Sequence, residues 1–221
     1  MPGQPDAAHA SERAGSGRAT SRRLRVGIFG GTFDPPHCGH VSAALACRAS
    51  LSLDQVLLVV ANEPWQKVPQ RDVTAAEDRY AMVEAAAAGL AGVEASRMEI
   101  DRGGPSYTAD TVAELLAGAA RAGLPRPDLY LVVGADLVES LPSWKRVDEV
   151  RPEVTLAVVS RPGAARVDAA GWRAVTVHGD AVDVSSSEVR ERLERGQPVD
   201  GLVPDEVMRC IARRSLYAMT R

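Results

Sequence analysis

Apolar positions along this chain follow two spacings, and they alternate. Leu24, Val26 and Ile28 stand every second residue ahead of a glycine pair. Residues 55–61 (Q-V-L-L-V-V-A), 129–134 (L-Y-L-V-V-G) and 154–160 (V-T-L-A-V-V-S) are continuous β-branched and aliphatic runs, the pattern of strands covered on both faces. Strands are thus expected at 24–29, 55–61, 93–100, 129–134 and 154–160, with a shorter one at 174–178. Between them the spacing is helical. A helix is expected over 39–51, beginning beside His40, and another over 107–122. Thr74 with Glu77, and Ser185 with Glu188, have the capping-box spacing. The first pair opens a helix through Met82 to about Leu90, and the second a helix to Arg195. A closing helix is expected over 204–214.

Alternation of this kind implies an α/β fold: a Rossmann-like, doubly wound, mostly parallel sheet with helices on both faces. Ligands of such sheets bind beyond the carboxyl ends of the strands, near the point where strand order reverses. The Pro/Gly-rich break at 123–128 is too short for a domain linker and no internal repeat is present, so 24–221 is expected to be one domain. Residues 1–23, rich in Ala, Ser, Gly and Arg, are expected to be a disordered tail. They lack the apolar stretch of a secretory signal, and Asp6 and Glu12 argue against a transit peptide.

Charge changes the picture only by exclusion. The net charge of −3 gives no general polyanion affinity, so nucleic acid is not an expected partner and any phosphate site must create its own positive potential. No stretch is long and apolar enough for a membrane span. Cys38, Cys47 and Cys210 are odd in number and scattered, which fits the cytoplasm better than an oxidised scaffold.

The chemistry concentrates after the first strand, where residues 27–40 read G-I-F-G-G-T-F-D-P-P-H-C-G-H. Glycines at a strand-to-helix junction let backbone N–H groups close on an anion, and His37 and His40 add cationic or hydrogen-bonding groups. Neither the GxGxxG dinucleotide fingerprint nor the Gly-Lys-Ser/Thr of a P-loop occurs here. A zinc site from His37, Cys38 and His40 is disfavoured because no second ligand pair lies at a metal spacing.

The run from Gly30 to His40 resembles the signature of the nucleotidyltransferases that share HxGH with class I aminoacyl-tRNA synthetases. Further segments narrow the resemblance: Pro64-Trp65-Gln66-Lys67, Pro105-Ser106-Tyr107-Thr108, Gly134-Ala135-Asp136 with Trp144 beyond it, Ser160-Arg161-Pro162-Gly163, and the run from Val184 through Ser187 to Arg190. In this order they look like bacterial nicotinate-nucleotide adenylyltransferases, from about Leu24 to the C-terminus. Members often have His at Gln66, and Ile and Thr at Val184 and Ser187.

The resemblance implies adenylyl transfer from ATP to nicotinate mononucleotide, giving nicotinate adenine dinucleotide and pyrophosphate in NAD biosynthesis. The attacking phosphate is already ionised, so positioning and charge stabilisation carry such a reaction, with no general base and no covalent enzyme intermediate. His37, His40, Lys67 and Arg190 are the expected catalytic groups. Gly30, Gly31, Thr32, Phe33, Gly134, Asp136, Ser186 and Ser187 join His40 and Arg190 around ATP, Asp136 through ribose hydroxyls. Trp144 offers a stacking face for the pyridine ring or packs in the core; Trp65 and Trp172 are expected to pack locally. Tyr107 and Thr108 open a helix whose N–H groups would receive the nicotinate carboxylate. Lys67 is expected beside the mononucleotide, Arg161 contacts a phosphate or braces a loop, and Asp34 makes a polar contact. Mg²⁺ would ride on the ATP phosphates, with no ligand from the protein. The oligomeric state stays open, a homo-oligomer included.

Three rival readings are weighed. Phosphopantetheine adenylyl transfer and cytidylyl transfer share the first motif but lack the Pro105–Thr108 segment and the Gly134–Asp136/Trp144 pair. A non-catalytic nucleotide sensor has no need of all four cations. A synthetase fragment would carry a KMSKS-like lysine loop, whereas the corresponding slot reads Val184 to Arg190.

Overall fold

The computed structural model describes residues 22–64, 73–160, 169–179 and 184–217. Six parallel strands form one sheet: β1 (Arg25–Gly31), β2 (Gln55–Val60), β3 (Val93–Ser96), β4 (Asp128–Gly134), β5 (Val154–Ser160) and β6 (Ala174–His178). Their order is β3-β2-β1-β4-β5-β6. The chain therefore winds outward from β1 to one edge, then crosses back to β4 and winds to the other. The reversal falls between β1 and β4, where a doubly wound sheet opens a crevice.

Strand periodicity sorts the apolar residues onto the two faces. Ile28, Leu129, Leu131, Val133, Val154, Leu156 and Val158 enter one core, with Ala109 and Val112 of α4 (Thr108–Arg121) and Val150 of α5 (Val147–Val150). Val56, Leu58, Val60, Val132 and Ala157 enter the other, with Ala44 and Cys47 of α1 (Cys38–Ser50) and Val83 and Ala87 of α2 (Ala76–Ala87). This is why the strands read as continuous apolar runs. A third cluster packs α6 (Ser186–Glu194) and α7 (Asp205–Arg214) behind α2, through Met82, Ala86, Val189, Val207, Cys210 and Ile211.

Several boundaries differ from the sequence expectation. β1 extends through Gly31, so the glycine pair ends the strand rather than forming the turn. The expected strand at 93–100 stops at Ser96, because β3 is an edge strand paired only along Val56–Val59. A short helix, α3 (Met98–Arg102), follows, turning Met98 to the core and Glu99 inward. The Thr74–Glu77 capping box does not form. Thr74 N–H points to the Asp34 carboxylate (3.5 Å), its carbonyl accepts from Arg79 Nε (2.7 Å), and Ala75 caps α2 without its side chain. The α2 helix ends at Ala87, short of Leu90. Helix α1 starts at Cys38, one residue before the expected Gly39. A 3₁₀ stretch, Ala135–Ser143, was not foreseen, and neither was α5. Residues 1–21 of the expected tail lie outside the described residues, as do Trp65, Gln66, Lys67 and Arg161.

Candidate active site

The crevice at the strand reversal holds a cavity of about 200 Å³. Ile28 to Thr32 of the β1 end, Leu131 to Val133 of β4, Ala61 and Pro64 beyond β2, and Thr108 and Trp144 line it. Residues expected to hold ATP (Gly30, Gly31, Thr32) thus share one cavity with residues expected to hold the mononucleotide (Thr108, Trp144). The two glycines have different reasons to be there. A Cβ on Gly31 would press into the Phe33 ring at 2.9 Å, whereas a Cβ on Gly30 would meet nothing within 4 Å and project into open space. Gly31 is required by packing, whereas Gly30 borders open space in the cavity.

Phe33 adopts a left-handed φ of 51° and is buried. Its ring meets Phe29 and His40 edge-on, at centroid distances of 5.8 and 4.9 Å. Phe33 is therefore the base of the histidine pair, a packing role beside the expected ligand contact. The His37 and His40 rings are tilted by 30° to one another, with centroids 3.7 Å apart. His40 Nδ1 accepts from the His37 backbone N–H (3.2 Å), so the neutral His40 ring carries its proton on Nε2. His37 is 8% exposed. Burial lowers its pKa from the ordinary 6.5 to about 4. His37 is therefore neutral at physiological pH, a hydrogen-bonding group and not the cation that the sequence left open. The His40 N–H goes to the His37 carbonyl (2.9 Å), and His37 Nδ1 is buried with no partner among the described residues. Burial and the nearby Asp205 raise the thiol pKa of Cys38, which keeps it protonated and unreactive.

The turn from Asp34 to Cys38 is held from the α6 side. Ser186 Oγ donates to the Pro35 carbonyl (2.8 Å), and Arg190 Nη1 donates to the Asp34 carbonyl (2.6 Å). Arg190 Nη2 donates to Ser187 Oγ (3.1 Å), while Ser185 Oγ caps the Glu188 N–H (3.1 Å). Glu188 turns to Arg192 (2.7 Å) instead of closing a reciprocal box. Ser186 and Arg190 therefore meet the histidine turn directly, and Ser187 is tied to it through Arg190.

On the acceptor side, Tyr107 caps α4 through its backbone and Lys145 Nζ lies 5.2 Å from its ring centroid. Trp144 packs on the core, as one of its two readings expects, and also lines the cavity. Its Nε1 donates to Ser140 Oγ (3.4 Å). Gly134 ends β4, and any side chain there would collide with the Asp136 carboxylate, which is exposed beyond the strand.

Sequence reasoning missed three residues here. Arg79 is 1% exposed and donates to the carbonyls of Thr32 (2.9 Å), Ala61 (2.6 Å), Asn62 (2.9 Å) and Thr74 (2.7 Å), joining the ends of β1 and β2. It lies on the same α2 face as Met82, Val83 and Ala86, and an arginine on an apolar stripe is the signal that could have flagged it. Asn62 links that region to the start of α4, through Ser106 Oγ (2.8 Å) and the Gly104 carbonyl (3.0 Å). Glu99, buried on the cavity wall, accepts from Thr111 Oγ1. No local pattern marks the last two.

A parallel sheet reversing at a glycine-ended strand, with two stacked imidazoles and an arginine over the turn, is the arrangement of a nucleotidyltransferase. Residues 28–192 match the family model described as cytidylyltransferase-like. A protein of Acidothermus cellulolyticus named probable nicotinate-nucleotide adenylyltransferase is 40% identical over 204 residues, spanning 91% of this chain and 98% of that relative. A Saccharopolyspora erythraea protein of the same name is 43% identical over 199 residues, spanning 89% and 91%. The chain belongs to the nicotinate-nucleotide adenylyltransferase family. The structure of Plasmodium falciparum nicotinic acid mononucleotide adenylyltransferase complexed with NaAD aligns with a TM-score of 0.69 at 16% identity, covering 88% of this chain and 98% of that one. At that identity the likeness concerns the fold.

Proposed function

We propose that this protein transfers the adenylyl group of ATP to nicotinate mononucleotide, releasing pyrophosphate, as a cytoplasmic step of NAD biosynthesis. One observation carries the reading: a single cavity at the β1–β4 reversal brings Gly30, Gly31 and Thr32 against Thr108 and Trp144. Three free cysteines support the cytoplasmic setting.

A phosphate oxygen of the mononucleotide attacks the α-phosphorus of ATP. The bond from that phosphorus to the pyrophosphate oxygen breaks, and the electron pair leaves with pyrophosphate. His40 offers an Nε2–H to the triphosphate, because its Nδ1 is occupied by the His37 backbone. Neutral His37 adds a hydrogen bond at low desolvation cost. Arg190, oriented by the Asp34 carbonyl and Ser187, holds charge on the leaving side. Trp144 stacks on the pyridine ring and the first N–H groups of α4 receive its carboxylate. Asp136 accepts from ribose hydroxyls. Lys67 and Arg161 are assigned to phosphate contacts by their motif context alone. Mg²⁺ would accompany the ATP phosphates, whose charge it would neutralise.

The test is pyrophosphate release from Mg²⁺-ATP with nicotinate mononucleotide, nicotinamide mononucleotide or phosphopantetheine as acceptor. The acid is expected to turn over fastest, and His40→Ala to lower that rate by about 100-fold or more while the circular dichroism spectrum is retained. Equal rates with acid and amide would refute the helix account of selectivity. Turnover with phosphopantetheine alone would refute the assignment.

A further inference from the structure

The histidine turn also has a set of contacts from the far end of the chain that the reaction described above does not use. Asp34 is 1% exposed, and a carboxylate so buried requires donors to offset its lost hydration. Tyr217 Oη donates to Asp34 Oδ1 at 2.6 Å, across almost the whole sequence. The connection between α6 and α7 contributes a second tie, since the Leu202 carbonyl accepts the Cys38 N–H at the start of α1 (2.8 Å). Tyr217 reaches Asp34 by an unusual path. Ser215, which caps α7, and Tyr217 itself both adopt left-handed backbone, with φ of 53° and 57°. Non-glycine residues occupy that region only at a steric cost, because the Cβ crowds the following carbonyl oxygen. Strained backbone near an active site is held by the contacts it makes. Here those contacts are the Asp34 hydrogen bond and the cluster of Met82, Val189 and Ile211 that Leu216 and Tyr217 cover. Burial first, and then the Asp34 carboxylate, raise the phenol pKa far above its ordinary value, so Tyr217 stays a donor at any working pH.

We propose that Tyr217 is a positioning residue of the ATP site, acting through Asp34 on the histidine turn and on Arg190. The lever is short. The Asp34 carboxylate is fixed by Tyr217, the Asp34 carbonyl accepts from Arg190, and His37 stands three residues on. A displaced Asp34 shifts the groups that grip the triphosphate. It leaves Thr108 and Trp144 in place, because they belong to α4 and to the chain beyond β4. Loss of the hydroxyl should therefore damage the ATP side of the reaction and spare the acceptor side.

This inference rests on the proposed reading of the turn as the ATP site. The experiment compares wild type, Tyr217→Phe and Leu216→Ala in the full chain. It measures melting temperature, Mg²⁺-ATP affinity by titration calorimetry, and kcat and KM for each substrate well below the melting temperature. Tyr217→Phe is expected to weaken ATP binding and lower kcat/KM for ATP by about 10-fold, with the mononucleotide KM within about twofold of wild type. Leu216→Ala loses packing but keeps the hydroxyl, so it is expected to melt earlier with a smaller loss of ATP affinity than Tyr217→Phe. In an Asp34→Asn background, Tyr217→Phe should add less than it does alone, because the two act as one unit. ATP parameters of folded Tyr217→Phe that match wild type, or equal losses on both substrate sides, would overturn the proposal. Failure of wild type to bind ATP would instead remove the reading of the turn on which it rests.

Discussion

At pH 7 the His37 ring is neutral because burial holds its pKa near 4, whereas an unfolded chain would titrate it near 6.5. Between those values the unfolded state binds a proton that the folded state does not. Stability should therefore fall as pH drops from about 6.5 to about 4, by up to about 3 kcal/mol from this residue. Urea titrations across that range should show the slope in wild type and a smaller one in His37→Gln, and identical slopes would refute the account. The same burial sets the chemistry. A neutral imidazole beside a triphosphate donates a hydrogen bond and does not repel its neighbour His40 at 3.7 Å. The motif singled out both histidines as candidates, but the charge of His37 depends on burial that no local pattern states.

Single elements bring each group to the edge of the crevice, and cross-element hydrogen bonds hold them there. Arg79 gathers four carbonyls from the ends of β1 and β2 and the start of α2. A planar fork reaches several acceptors at once, and an ammonium cannot. Arg79→Met should lose at least about 3 kcal/mol in urea denaturation, since it leaves buried carbonyls without donors. Arg79→Lys should recover only part of it. A loss under about 1 kcal/mol in Arg79→Met would show that water replaces the bonds. At this scale the sequence was informative about the long elements and poor about the short ones. Strands with aliphatic runs were legible because both faces are buried. Helix α3 was hidden inside a stretch of mixed polarity expected to be one strand, and the Thr74 box failed because Asp34 and Arg79 took its backbone groups.

Across the whole molecule, the reversal between β1 and β4 divides labour. The β1 side, with α6 and the C-terminal segment, holds the histidine turn and Arg190, whereas β4 and α4 frame Thr108 and Trp144. Substitutions on the two sides should separate kinetically. Trp144→Ala is expected to raise the mononucleotide KM by about 10-fold with little change in the ATP KM. Arg190→Ala is expected to lower kcat/KM for ATP by about 100-fold with little change in mononucleotide KM. Steady-state kinetics with each substrate varied in turn would reveal the split, and matching effects on both substrates would contradict it.

The sequence by itself determined the fold class, the glycine–histidine turn and the family, because these depend on local periodicity and on residues close together in the chain. It also supplied both sides of the site as separate segments, such as Tyr107–Thr108 and Ser186–Arg190. Only the tertiary structure decided what each of those segments touches. It made His37 neutral, turned Arg79 into a buried clamp and paired Asp34 with Tyr217, because burial and partners distant in sequence set the energy of a polar group. The turn from Gly27 to His40 is legible from its own residues. What holds it in shape lies far along the chain, at Arg79, Arg190 and Tyr217.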